Sequence, residues 1–336
     1  MTKHERFMKF LANEPVDRVP VAFFHHFCNR DDWYKGLERP AAFEENIVKH
    51  KAAREKFDPD VVKIMNDTLM IMPVDISFVK SPADFKYIEA PTMDAPFGRK
   101  TKELTQRVME YYADSDAPIY ATGFSASMVL RSAFRWSTPT FEEGEAKLKA
   151  FAREDPEAVS EALKNLVEGV SRFHEMLIKE CGVDGIYYSV NNQAHFFDDD
   201  YYRTGVGPYD KAVLDRANRL SQMNLMHLCG YHGLANTMDL FTDFEAAAYN
   251  IAVYAEGVSL SEGKKLFGGK PVFGGFAQDA VIYTGTKDEV KKAAWDILDE
   301  CGQVGVMLGA DCTVPNDTDD TRLEWVREAA IEYADK

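Results

Sequence analysis

The sequence predicts an α/β protein of the (β/α)8 barrel class, and three observations carry that expectation. Eight short β-rich runs recur along the 336 residues. Most of them are continuously apolar, the pattern of parallel strands buried on both faces. The segments between them place apolar residues every three or four positions, as helices packed on a sheet do.

The runs are VPVAFF near 19–24, VVKIMN near 61–66, PIYATGF near 118–124, GIYYSV at 185–190, NLMHLCG at 224–230, AAAYNIAVY near 246–254, KPVFGGF at 270–276 and VGVMLGADC at 304–312. Among the helical segments, 155–180 is the clearest. Val159, Leu163, Leu166, Val170, Phe173 and Leu177 form one stripe, with Pro156 near its start and Gly182 just past its end. The segment TKDEVKKAAWDILDECG has Thr286 as its N-cap and Gly302 as its terminator. KECGVDGIYY and DECGQVGVML share one layout: helix end, Cys-Gly, strand. Cys181 and Cys301 therefore sit at helix-to-strand turns, on the barrel face away from an active site, and read as small packed hydrophobes. A doubly wound open sheet is the rival fold. No G-x-G-x-x-G follows the first run and no P-loop occurs, so nothing supports a nucleotide fold. No linker divides the chain. Residues 1–336 are expected to form a single barrel domain, with an N-terminal helical extension and long insertions after strands two, three and four.

A hydrophobic content of 46% is enough for a large core, and a formal net charge of −16 excludes most nucleic-acid and anionic-membrane partners. The N-terminus, MTKHERFMKF, lacks the apolar stretch of a secretory signal, and no run of about 18 apolar residues reads as a span. Five cysteines, sparse and odd in number, argue against a disulfide framework. The expectation is a soluble, cytoplasmic protein with free or metal-bound thiols.

The stretch MHLCG, residues 226–230, is the most informative. On a strand, positions i and i+2 face one side, so His227 and Cys229 point together. Barrel active sites lie at the C-terminal strand ends. His227 and Cys229 end the fifth run, Cys312 ends the eighth, Asp67 follows the second, and His25, His26 and Cys28 follow the first. One histidine and two cysteines form a catalytic zinc set with a coordination position left open. The bland alternative is a buried histidine beside buried cysteines. The fifth and eighth strands are not neighbours, so the metal reading requires side chains to reach across the mouth.

Over nearly its whole length the chain resembles the uroporphyrinogen decarboxylase superfamily. The resemblance rests on ERFMKFLANEPVDRVPVAF, where a short helix leads through Asp-Arg-x-Pro into the first strand, on VFGGFAQDAVIYTGTKDEV, and on LGADCTVPNDTD. It implies the barrel fold. It also implies one of two chemistries. One branch decarboxylates a porphyrinogen without a cofactor. The other is similar to methylcobamide:coenzyme M methyltransferases and related demethylating enzymes, which hold zinc through H-x-C and a later cysteine and take methyl groups from a corrinoid. HLC and Cys312 fit the second branch. The first-strand loop FFHHFCNRDD offers only Arg30 to a polycarboxylate, and Asp311 stands where the decarboxylase signature has a histidine.

The resemblance thus implies His227, Cys229 and Cys312 as zinc ligands, with Asp311 the competing ligand on the last strand. Adjacent strand residues point oppositely, so at most one of Asp311 and Cys312 fits well. Asp67 matches the decarboxylase aspartate and, with Asp311, is a candidate catalytic carboxylate; as a plain residue it reads as a turn. His25, His26, Arg30, Asn192 and His195 are candidate substrate contacts, the last two in the aromatic stretch YYSVNNQAHFFDDDYYR. Asp198, Asp199 and Asp200 read as a solvated turn, and His232 as structural. The corrinoid would come from a partner protein, since the chain has no D-x-H-x-x-G motif. The other partner is a small methyl donor or acceptor. The superfamily often forms dimers, so the resemblance carries the expectation of a homodimer. A lyase acting on a porphyrinogen or another carboxylate, and a non-catalytic binding subunit, are the alternative functions.

Overall fold

A computed structural model describes residues 1–230 and 233–336. Seven parallel strands run in the order of the chain: β1 (Val62–Ile64), β2 (Ile119–Phe124), β3 (Gly185–Val190), β4 (Leu225–Leu228), β5 (Ala248–Ile251), β6 (Val272–Phe276) and β7 (Val306–Ala310). These are the second to eighth runs of the sequence. Helices follow the strands and cover the outside of the sheet, giving the (β/α)8 barrel architecture.

The first run, expected to be a strand, is not a regular one. Val21 bridges Leu308 and His25 bridges Val314, both in parallel sense. The Ala22 N–H donates to Leu308 O at 3.0 Å, and the Leu308 N–H donates to Pro20 O at 2.9 Å. The segment therefore fills the eighth place in the ring. Pro20 has no N–H to give a ladder. On the β1 side the Asp60 N–H donates to Val21 O at 3.0 Å, and the Asp60 carboxylate, in place of a strand carbonyl, accepts the Val21 N–H at 2.7 Å.

The Asp-Arg-x-Pro motif builds this closure. Buried Asp60 accepts from Arg6 Nη1 at 2.8 Å and from Arg18 Nη1 at 2.6 Å, while Arg6 Nε donates to Asp17 at 2.8 Å. The helix Lys3–Leu11, started by a Thr2–Glu5 capping box, seals the N-terminal end of the barrel with Phe7 and Phe10. Phe7 meets Tyr120 edge-on at 6.0 Å.

Alternation along the strands sorts side chains into the interior and the helix-facing layer. The interior holds Val61, Tyr120, Tyr187, Leu225, Ala248, Phe273 and Met307, and the outer layer holds Ile186, Tyr188, Met226 and Leu228. Lys63 lies two residues beyond Val61. His227 and Cys229 follow Leu225 by two and four. The same period that buries the leucine therefore carries the imidazole and thiol up the inside wall to the mouth.

The helix Pro156–Lys179 has Pro156 in its first turn and buries Val159, Leu163, Leu166, Val170, Phe173 and Leu177, as the stripe predicts. Lys287–Cys301 is capped by Thr286 and ends at Gly302 with a φ of 72°. None of the described helices is long and apolar enough to cross a membrane.

Candidate metal centre at the barrel mouth

His227 Nε2, Cys229 Sγ and Cys312 Sγ all lie within 4.8 Å of one another. Cys312 Sγ is 3.9 Å from His227 Nε2. β4 and β7 are separated by β5 and β6, so the reach across the mouth is made by Cys312, which stands two residues past the end of β7. Asp311 points elsewhere. Its carboxylate accepts the N–H of Tyr254 at 2.9 Å and that of Gly275 at 3.2 Å. Burial pushes its pKa up to about 7. Of the two candidates at the end of the last strand, the thiol joins the histidine, and the carboxylate ties the β6 backbone to the short helix Val253–Glu256 that follows β5.

The tautomer of His227 follows from its neighbour. Asn250 Nδ2 donates to the carbonyls of Phe273 and Ala310 at 3.0 and 3.2 Å, which fixes the amide so that Oδ1 is the acceptor. That oxygen lies 2.6 Å from His227 Nδ1 and accepts from the Tyr187 hydroxyl at 2.7 Å. Nδ1 therefore carries the proton and Nε2 presents its lone pair to Cys312. This is the outer-shell arrangement that orients metal-binding imidazoles. Tyr187 also stacks on the ring at 5.2 Å.

The donor set suits a tetrahedral divalent ion. Zinc–nitrogen and zinc–sulfur bonds of about 2.0 and 2.3 Å imply tetrahedral edges of about 3.5 Å between nitrogen and sulfur and about 3.8 Å between sulfurs. The observed 3.9 Å between Cys312 and His227 is about 0.4 Å longer than the nitrogen–sulfur edge, a gap that small side-chain rotations close. A hydrogen bond from Cys229 holds the Cys312 thiol well below its usual pKa against the opposing effect of burial, and the Lys63 ammonium acts in the same sense. A poised thiolate is what a metal site requires.

Three inward residues of this layer escaped the sequence reading: Tyr187, Asn250 and Lys63. Each is a polar residue inside an apolar run, in GIYYSV, AAAYNIAVY and VVKIMN respectively. Lys63 Nζ donates to Thr313 Oγ1 at 2.9 Å and sits over the rings of Phe24 and Tyr187, at 5.1 and 4.7 Å.

The other candidate residues divide. A cavity of about 720 Å³ opens over the centre, lined by His26, Cys28, Arg30, Trp33, Gly230, Tyr254, Asp311 and Cys312, among others. A side chain at Gly230 would meet Ala252 and Ala255, both at 2.6 Å, which explains the glycine of HLCG. His26 and Arg30 thus face the cavity, and His26 stacks on Trp33 at 4.3 Å. Burial pushes the Cys28 thiol up to about 12.

Asp67 does not line the cavity. It is fully enclosed and accepts from His26 Nδ1 at 2.6 Å and from the N–H groups of Phe27 and Cys28 at 2.5 and 3.0 Å. It holds the loop that carries His26. His25 also turns away, its Nε2 pairing with Asp320 at 2.6 Å. Asn192 is buried and clamps Phe197, donating to its O and accepting from its N at 2.9 Å each. His195 is exposed and pairs with Asp199 at 3.0 Å. These three differ from the expectation of substrate contact because local backbone and carboxylate partners claim their polar atoms. Asp198 caps the short helix that follows it, accepting from the N–H groups of Asp200 and Tyr201. Cys181 and Cys301 lie far along the chain's helix ends, with thiols pushed up by burial to about 11 and about 12. His232 lies outside the described residues.

No curated protein matches the chain. Among solved structures it is similar to a methyltransferase from Methanosarcina mazei, at 16% identity and a TM-score of 0.74, over 99% of this chain and 99% of that one. It is also similar to a B12-independent methionine synthase from Shewanella sp. W3-18-1 in complex with selenomethionine, at 15% identity and a TM-score of 0.56, over 95% of this chain and 98% of that one. A third likeness is to GH5_18 from Streptomyces cattleya in complex with GlcNAc, at 10% identity and a TM-score of 0.55, over 93% and 80% of the two chains. Such identities show a shared barrel and no more, since one barrel serves many chemistries. The family model is more specific. Uroporphyrinogen decarboxylase (URO-D) matches residues 139–333, more than half of the chain and the part that supplies His227, Cys229 and Cys312. The chain belongs to the uroporphyrinogen decarboxylase family.

Proposed function

We propose that this enzyme is the methyl-transferring kind of URO-D protein: a zinc-dependent methyltransferase or demethylase that moves a methyl group between a corrinoid carried by a partner protein and a thiol or methylated small substrate. The convergence of His227 Nε2 with two cysteine sulfurs carries this reading. These three residues would hold the zinc, which would supply the positive charge that favours the thiolate form of an entering thiol. Asn250 keeps the imidazole in the ligating tautomer, and Tyr187 braces the ring. Asp67 holds His26 and the Cys28 backbone against the cavity, and Trp33 donates to Cys28 O at 3.2 Å to close that wall. Gly230 lets the chain that carries the ligands pack directly against Ala252 and Ala255.

The decarboxylase alternative asks for a basic cavity. Arg30 is the one arginine in the wall described here, opposed by Asp279 and Asp311. The candidate catalytic aspartate, Asp67, is enclosed behind that wall.

The test is turnover of methylcobalamin with a small thiol, followed by visible absorbance. Demethylation that depends on added zinc and is lost in His227→Ala and Cys312→Ala supports the proposal. Uroporphyrinogen turnover that survives both substitutions, with no zinc bound, overturns it in favour of a lyase.

A further inference from the structure

We infer that Lys63 is a positioning residue whose buried ammonium biases the centre toward an anionic fourth donor, a thiolate rather than a neutral nitrogen or water. The inference rests on reading His227, Cys229 and Cys312 as a zinc site.

Lys63 occupies the middle of β1 and points into the barrel, 6% exposed. Its Nζ has Thr313 Oγ1 at 2.9 Å and two aromatic faces, and no carboxylate pairs with it among the described residues. The nearest candidate, Asp67, is spent on His26, Phe27 and Cys28. Burying an unpaired ammonium is expensive, and the surrounding layer fills its volume with Phe24, Tyr187, Phe273 and Met307. A methionine would fill the same space without that cost. What the lysine adds is charge, delivered close under the ligands: Thr313 follows Cys312 in sequence and lines the same cavity. Burial lowers the Lys63 pKa, and the lone hydrogen bond to Thr313 and the two aromatic faces are contacts that suit an ammonium.

The charge sum then decides. A divalent ion, two thiolates and a neutral imidazole total zero. Lys63 makes the enclosed group positive by one. A thiolate in the open position restores neutrality, whereas a neutral donor leaves a net charge in a poorly solvated interior.

The experiment uses zinc-loaded protein, as wild type, Lys63→Met and Lys63→Gln. Each is titrated calorimetrically with mercaptoethanol and separately with imidazole over a range of pH, and bound zinc is counted. The expected result is that zinc stays in all three. The neutral variants bind the thiol about tenfold or more weakly, with onset shifted to higher pH, and bind imidazole unchanged. Equal thiol affinity in all three proteins overturns the inference alone. So does a parallel loss of thiol and imidazole affinity, which marks structural damage. Loss of zinc from both neutral variants overturns it too, because a fixed positive charge cannot be what retains a cation. Wild-type protein that takes up no zinc overturns this inference and the metal reading together.

Discussion

His227 and Asn250 are register partners on adjacent parallel strands, and the pair is also joined side chain to side chain, with 2.6 Å between Nδ1 and Oδ1. The sheet register itself therefore sets the imidazole's tautomer. Asn250→Leu keeps the size and removes the acceptor. Zinc affinity, measured by competition with a chromophoric chelator, is expected to fall about 10- to 100-fold. Asn250→Asp, which keeps an acceptor, should lose less. Unchanged affinity in the leucine variant would remove the tautomer argument.

Cys312 and Asp311 make opposite predictions although they are adjacent. Cys312→Ala is expected to abolish stoichiometric zinc while leaving the fold intact. Asp311→Ala is expected to retain zinc but unfold at lower denaturant, by about 1–3 kcal/mol, because the buried Gly275 N–H and the part-buried Tyr254 N–H lose their acceptor. Metal analysis and urea melts of the two variants separate the roles.

The sequence was readable where burial has a period. Seven of the eight runs became strands because parallel strands buried on both sides must be apolar throughout, and His227 and Cys229 were legible as a pair because i and i+2 share a face. The first run misled because Pro20 removes a ladder donor, and because Asp60, remote in sequence, supplies the acceptor that a strand would have supplied. Asn250 and Lys63 were invisible for a related reason. A single polar residue in an apolar run tells only that a partner exists, and the partners here come from other strands: His227, Phe273 and Thr313. Asn192 and His195 misled in the opposite direction. Their polarity suggested a ligand, but Phe197 and Asp199, four or five residues away, already satisfy it.

Asp60 is expected to be among the most costly residues to replace outside the centre. It is buried, accepts from two arginines and the Val21 N–H, and lies where the N-terminal segment closes the ring. Asp60→Ala strands the buried Arg6 with one partner fewer and removes the Val21 acceptor. A loss of about 3–5 kcal/mol is expected from urea unfolding. Asp60→Asn, which keeps an oxygen for Val21, should lose less. A loss below about 1 kcal/mol in the alanine variant would mean that the backbone bonds to β7 and from the residue-60 N–H to Val21 O hold the closure without the carboxylate.

His174 gives the fold an acid sensitivity of its own. Its imidazole is fully buried against Phe173 and Tyr188, and neither ring nitrogen has a hydrogen-bond partner among the described residues. Burial lowers its pKa from 6.5 to about 3. The unfolded chain therefore binds this proton at a higher pH than the native one, so native stability is complete above pH 6.5 and declines as pH falls toward 3. At pH 5 the group should cost about 2 kcal/mol relative to pH 8. His174→Leu removes the titration and the unsatisfied nitrogens while filling similar space. The variant is expected to match or exceed wild-type stability at pH 8 and to gain about 2 kcal/mol over that difference at pH 5. His50, also fully buried with its pKa lowered to about 4, titrates equally in both proteins and cancels in the comparison. Denaturant melts at the two pH values measure the gap, and a gap that does not widen on acidification would show that the His174 pocket admits a partner or water able to carry the proton.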